Sequence, residues 1–201
     1  DAIGDDAAAL LEPLSVAVWA CGKGRVGPGD RVLVTGAGPI GLLALQTALA
    51  RGAAQVVVTD VDEHRLRIAE DLGATAVLDA RSAPPAGADA EPTVLLECSG
   101  QPGAAADGIR ALGPAGRAVL VGMGGEEVPL PLSHIQENEI EVTGTFRYAG
   151  TWPAAIALAA SGRVDLDRLV TARFGLADAE RALNHGAHDQ GAVKAVVRPG
   201  E

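Results

Sequence analysis

Three glycines, Gly36, Gly38 and Gly41, stand in G-x-G-x-x-G spacing directly after a short apolar run. An acid, Asp60, closes the next apolar run, about 20 residues beyond the last glycine. Each residue type has its own task in that arrangement. Gly36 permits a tight strand-to-helix turn, Gly38 lets the backbone approach a pyrophosphate, and Gly41 lets the helix lie close to the sheet. Pro39 and Ile40 fill the positions between and open a helix whose N-terminal N–H groups and dipole favour a phosphate. Asp60 can accept hydrogen bonds from the 2′- and 3′-hydroxyls of an adenosine ribose, whereas a 2′-phosphate would face a carboxylate. The chemistry is dinucleotide binding, with NAD preferred to NADP. A glycine-rich turn that only reverses the chain is the alternative, and the surrounding strand, helix and acid favour the nucleotide.

The elements that must position these residues follow from pattern. Residues 31–35 are apolar and β-branched between turn signals, as a buried parallel strand requires. Residues 40–51 are rich in Ala, Leu and Gln and stop at Gly52, a C-cap glycine. Further strands are expected at 55–59, 75–79, 93–98, 117–121 and 140–146, and helices at 62–72 and 104–112. Pro84 and Pro85 exclude a regular helix from 81–92, so that crossover reads as abbreviated. Residues 128–132 read as extended and 133–138 as a helical turn. The result is an α/β fold, a doubly wound parallel six-stranded Rossmann sheet, whose crevice lies at the strand carboxyl ends. Those ends are 36–38, Asp60, 98–100, 122–124 and Arg147.

The flanks read differently. Residues 1–11 form a lead-in, and a helix runs from Glu12 and Pro13 to about Cys21. After Arg147 come a helix at 151–161 with Thr151 as N-cap, a strand at 170–175, a helix at 177–184 and a strand at 194–198. They are not a seventh unit of the same sheet.

Composition narrows the classes. The 201 residues are 48% hydrophobic and 21% charged, a globular balance, and no apolar run has the length of a membrane span. A net charge of −10 argues against nucleic acid and anionic membranes, which bind through clustered Lys and Arg. Lys23 and Lys194 are the only lysines; the Arg-, Ala- and Gly-rich usage suggests a bacterial coding sequence. Cys21 and Cys98 are too few and too distant for a disulfide framework or a zinc knuckle, so a cytoplasmic location is expected. The start at Asp1, without Met or a leader, reads as a processed product or a piece of a longer protein, the piece being favoured.

Several ordered segments carry a resemblance. They are LEPLSV from Leu11, PGDRVLVTGAGPIGLLAL, VVVTDVDEHRLRIAEDLGA, ECSG, Thr145-Phe146-Arg147-Tyr148 and Thr151-Trp152-Pro153. Together they resemble the zinc-dependent medium-chain alcohol and polyol dehydrogenases, most of all the sorbitol and xylitol branch. The resemblance implies residues 1–15 as the end of a catalytic domain, 16–146 as the NAD-binding domain and 147–201 as a return to the catalytic domain, most of which is missing. It implies zinc as a second cofactor, with Glu12 as a ligand or as partner of the metal-bound water. A carboxylate at a helix N-terminus also suits the dipole without any metal.

Arg147 and Tyr148 fall where the family contacts the polyol. The resemblance also implies that Arg65 flanks the adenosine, and that Cys98 with Ser99, and Val121 with Gly122 and Met123, border the cofactor. Cys98 reads as a buried small hydrophobe rather than a nucleophile. His64, His134, His185 and His188 match no family ligand, and His185 with His188 reads as a solvated pair. The implied activity is hydride transfer from a secondary alcohol of a polyol to NAD, in a homodimer or homotetramer, with this fragment alone inactive. A threonine- or simple-alcohol dehydrogenase, and a non-catalytic dinucleotide-binding module, stay open as alternatives.

Overall fold

Apolar runs with β-branched residues alternate with helix formers along most of the chain, and the fold follows that alternation. The computed structural model describes residues 3–82, 85, 91–189 and 191–200. β1 (Arg31–Thr35), β2 (Gln55–Asp60), β3 (Ala76–Asp79), β4 (Val94–Glu97), β5 (Arg117–Leu120) and β6 (Glu141–Gly144) make one sheet. Its order is β3-β2-β1-β4-β5-β6 and every neighbouring pair is parallel. The order reverses beside β1, which is where such a sheet opens a ligand crevice.

Because successive side chains point to opposite faces, each central strand feeds two cores. Val32 and Val34 of β1 join Val94 and Leu96 of β4 in one apolar cluster, while Leu33 and Leu95 enter the other. α2 (Leu11–Lys23) and α3 (Pro39–Ala50) cover the first face, with Leu14, Leu42, Leu43 and Leu45 fully buried. α5 (Pro102–Ala111) closes the second face through Ile109. α4 (Glu63–Asp71) joins β2 to β3, and Asp62 caps it by accepting from the N–H groups of His64 and Arg65 at 2.8 and 3.2 Å. α6 (Leu132–Glu137) leads into β6.

The differences from the sequence reading have identifiable causes. The lead-in holds a short helix, α1 (Asp5–Ala9), and Pro13 is the third residue of α2, inside the first turn where no intrahelical N–H bond is lost. Leu132, read as the end of an extended segment, instead opens α6, while residues 128–131 join no sheet, Pro129 and Pro131 having no N–H to pair. β6 covers only Glu141–Gly144, and just past it Arg147 takes a left-handed φ of 56° that turns the chain away. Thr151 stands at the N-cap position of α7 (Trp152–Ala160) but caps nothing; its hydroxyl donates to the Ser15 carbonyl at 3.2 Å instead. Of the crossover 81–92, residues 83, 84 and 86–90 lie outside the described residues.

After α7, β7 (Val170–Gly175) and β8 (Lys194–Arg198) form a separate two-stranded parallel sheet, with α8 (Ala179–His188) between them in the chain. Two polar clamps tie this unit to the rest. The buried Gln46 of α3 donates to the Asp165 carbonyl at 3.2 Å and accepts from the Asp165 N–H at 2.6 Å. Asp6 of α1, 6% exposed, accepts from Arg173 of β7 and from Arg198 of β8, the latter at 2.9 and 3.0 Å.

The hydrogen bond from Arg173 holds the Asp6 carboxyl below its ordinary 3.8, with Arg198 acting in the same direction. A carboxyl lowered by folding contributes stability that is present above 3.8 and lost as the pH falls through its folded value. Asp6→Asn is therefore expected to lower the melting temperature near neutral pH, and the gap to wild type should close below 3.8. Melting curves of both proteins from neutral to acid pH check this; a gap of constant size would contradict it.

Candidate functional site

The β1 ladder continues one residue past the strand, with the Gly36 N–H donating to the Thr59 carbonyl at 2.7 Å, and then the chain turns sharply. Gly36 has φ +88°, and a Cβ there would lie 2.9 Å from the Ser99 backbone. A Cβ on Gly41 would lie 1.8 Å from the Gly36 carbonyl oxygen, so the first turn of α3 rests against the end of β1. Gly38 behaves differently. It is the N-cap of α3 with no side-chain cap bond, and a Cβ on it would meet nothing within 4 Å. This open space above uncapped helix N–H groups suits a phosphate. Pro39 is the first helical residue, where its missing N–H costs nothing.

Asp60 ends β2 beside this turn. Its Oδ2 accepts from the Ala37 N–H at 2.6 Å and its Oδ1 from the Asp62 N–H at 2.9 Å. The carboxylate thus fixes the glycine turn, and each oxygen keeps a further lone pair for a ribose hydroxyl. Gly36, Gly38, Asp60, Arg65, Cys98 and Ser99 border one crevice of about 610 Å³. Arg65 Nε is buried there without a hydrogen-bond partner among the described residues.

A second pocket, of about 500 Å³, lies on the other side of Cys98, which borders both. Ile40, Val121, Gly122, Met123 and Arg147 line it, together with Val16, Thr145 and Phe146, to which the sequence reading gave no site role. The Arg147 guanidinium lies 5.6 Å from the centroid of the Phe146 ring. Tyr148 lines neither pocket; its ring packs edge-on against Trp152 at 6.0 Å. Glu12 is exposed in the first turn of α2, one helical turn before Val16 and on the same face.

Both cysteines are free thiols, Cys21 buried and Cys98 part-buried. Burial, reinforced by the Glu97 carboxylate, pushes the Cys98 thiol well above its usual range. Burial alone pushes Cys21 up to about 12. His185 packs edge-on against Phe174 at 5.4 Å and lies 3.6 Å from Asp189. The side chain of His188 lies outside the description. Among the described residues no three His, Cys, Asp or Glu side chains gather as a metal site. A zinc site needs three or four protein ligands, and Glu12 offers one.

The residue that sequence reasoning missed is Glu97. It ends β4, is 2% exposed, and bonds the loop that follows it. A signal was present: a charged residue inside a fully buried strand requires partners.

The family described as zinc-binding dehydrogenase matches residues 39–161. The sorbitol dehydrogenase of Mus musculus is 42% identical over 190 residues, covering 90% of this chain and 53% of that protein. The L-arabinitol 4-dehydrogenase of Hypocrea jecorina is 38% identical over 202 residues, covering 94% of this chain and 54% of that one. Among solved structures, an E. coli CFT073 alcohol dehydrogenase complexed with NADH superposes with a TM-score of 0.90 at 26% identity, over 98% of this chain and 60% of that one. The chain spans about half the length of the curated relatives it matches.

Two glycine substitutions separate packing from binding. Gly41→Ala, which forces a shift of Gly36, is expected to destabilise the protein by about 1–3 kcal/mol. Gly38→Ala should change stability by less than about 0.5 kcal/mol, yet weaken dinucleotide binding by filling the cradle. Chemical denaturation and nucleotide titration of the two variants provide the check, and equal stability losses would contradict the division.

Proposed function

The chain belongs to the zinc-binding dehydrogenase family, and from that premise we propose that it is the NAD-binding portion of a sorbitol- or xylitol-type polyol dehydrogenase, an oxidoreductase of the EC 1.1.1 type. The observation that carries the reading is the joining of the glycine turn, Asp60 and the crevice in one geometry. The adenosine lies in the larger crevice, with its ribose on Asp60 and Arg65 beside it. The pyrophosphate lies over Gly38 at the N-terminus of α3, and the nicotinamide half reaches past Cys98 and Ser99 to Val121, Gly122 and Met123. Bound NAD supplies the ring that takes up a hydride. Arg147 lines this second pocket, and its fixed fork of donors suits several hydroxyl oxygens of a polyol. Tyr148 stands on the adjacent turn.

Residues 1–15 and 147–201 are read as ends of a catalytic domain completed by sequence outside these 201 residues, and 16–146 as the nucleotide-binding domain. α2 runs unbroken through that first boundary. Glu12 is this chain's single contribution to a zinc site, and the metal's value to the reaction is Lewis-acid polarisation of the alcohol oxygen. No helix among the described residues is long and apolar enough to cross a membrane. Two free thiols suit a reducing cytoplasm.

A second reading, NADP, is favoured by Arg65, a cation on the wall of the crevice. Asp60 opposes it, because the carboxylate already faces the turn where the ribose must sit. Calorimetric titration of the chain decides. NAD is expected to bind at least about tenfold more tightly than NADP, roughly 1.4 kcal/mol, and Asp60→Ala should shrink that ratio. Preference for NADP would remove Asp60 from the argument.

The outer edge of β6 pairs with no strand among the described residues, and Val142 on it is 36% exposed. Glu141 is the one charged residue of this short strand, and an uncovered edge is a template for pairing. Edge-to-edge association of two chains, a dimer or a tetramer built from dimers, is therefore proposed. Sedimentation should show self-association of the wild type and its loss in Val142→Lys; a wild type that stays monomeric at high concentration would count against it.

A further inference from the structure

Glu97 lines neither pocket, yet it sits between them and holds the parts that separate them. Its Oε1 accepts from the Ser99 hydroxyl at 2.5 Å, the Ser99 N–H at 2.9 Å and the Gly100 N–H at 3.0 Å. The Thr35 hydroxyl, at the end of β1, lies 3.4 Å from the same oxygen. Its own carbonyl accepts from the N–H groups of Val121 and Gly122, both at 2.8 Å. One residue therefore bonds the ends of three strands, β1, β4 and β5.

The turn that Glu97 holds is a wedge. On one side the Ser99 backbone abuts the glycine turn, at 2.9 Å from where a Gly36 Cβ would be. On the other side the Gly100 N–H lies 2.2 Å from where a Gly122 Cβ would be, and a Cβ on Gly100 would meet the Met123 carbonyl at 2.6 Å. The thickness of this Ser99–Gly100 turn sets the distance between the crevice over Gly38 and the pocket at Gly122 and Met123. A dinucleotide gains by seating both halves at once, and it loses that gain when the two seats fall out of register.

We propose that Glu97 is a positioning residue for the cofactor: by holding the Ser99–Gly100 wedge against Gly36 and Gly122 it sets the register between the adenosine and nicotinamide halves of the site. This rests on the nucleotide-binding function proposed above. The prediction is a split between whole and half ligands. AMP needs only the crevice at Asp60 and Gly38, whereas NAD needs both seats.

The test is calorimetric titration of the 201-residue chain with NAD and with AMP, on wild type, Glu97→Ala, Glu97→Asp and Glu97→Gln. Glu97→Ala removes the acceptor, and Glu97→Asp keeps the charge but withdraws the oxygen by one methylene. Each is expected to lose about tenfold or more in NAD affinity, with AMP affinity changed by less than about threefold. Glu97→Gln keeps an acceptor oxygen and should recover NAD affinity to within about threefold of wild type. Should Glu97→Ala fail to fold, Glu97→Asp carries the comparison. Unchanged NAD affinity in the Ala and Asp variants would overturn the inference, and so would parallel loss of AMP and NAD, which marks a merely structural role. A wild type that binds neither ligand would overturn the nucleotide reading itself, a failure visible before any variant is made.

Discussion

The approach of α3 to the end of β1 is the contact on which the rest of the crevice depends. With a Cβ at residue 41 only 1.8 Å from the Gly36 carbonyl oxygen, only glycine lets the helix axis come this near the sheet. That nearness directs the uncapped N-terminus of α3 at the space above Gly38. It also buries the helix on the sheet side, while α2 buries it from behind. Leu42, Leu43, Ala44 and Leu45 are consecutive and all fully buried, so α3 has no solvent face along that stretch. A helix of this kind is stable only when covered on both sides. The covering continues outward from α2 to α7, so the C-terminal unit is layered onto the same stack.

Two acids at strand ends on either side of β1 perform the same physical task. Asp60, at the end of β2, fixes the turn at Ala37; Glu97, at the end of β4, fixes the turn at Ser99 and Gly100. In each case a carboxylate accepts backbone N–H groups that have left the strand ladder and are not yet in a helix. Such groups would otherwise be left unpaired in a partly buried place, at a cost comparable to a lost hydrogen bond. The crevice is thus shaped by backbone held from within the sheet, not by side chains reaching in from loops. What distinguishes the two acids is exposure. Asp60 borders the crevice and is available to a ligand, whereas Glu97 is sealed beneath its turn.

The features legible in the sequence were those that a single residue imposes on its own backbone. Gly36, Gly38, Gly41 and Asp60 could be assigned because each satisfies a local requirement of the turn. The strands at 31–35, 170–175 and 194–198 were bounded correctly for the same reason: turn residues flank them closely. Features that depend on a distant partner were not legible. Thr151 looked like a cap, but its hydroxyl is taken by Ser15, 136 residues away in sequence. Glu97 was visible only as an acid in an apolar run, and its partners needed the loops of three strands to be placed. The crossover at 81–92, read as abbreviated, falls largely where no description is given.

The two halves of the site differ in how completely these 201 residues enclose them. The crevice proposed for the adenosine is framed by the sheet, the glycine turn, Asp60 and α5 residues such as Ala104 and Asp107. The other side is rimmed by apolar groups turned to solvent: Met123 is 86% exposed and Phe146 73%. Arg147, held at a left-handed φ that a non-glycine residue adopts at a cost, presents its guanidinium there. Seating the adenosine half of a dinucleotide requires only the framed side, because hydrogen bonds to ribose and phosphate tolerate neighbouring water. Moving a hydride does not, since a reactive ring and an alcohol carbon must meet in a site from which water is excluded. On the proposed reading, the exposed rim around Met123, Phe146 and Arg147 is where the remaining half of the protein must close over the substrate.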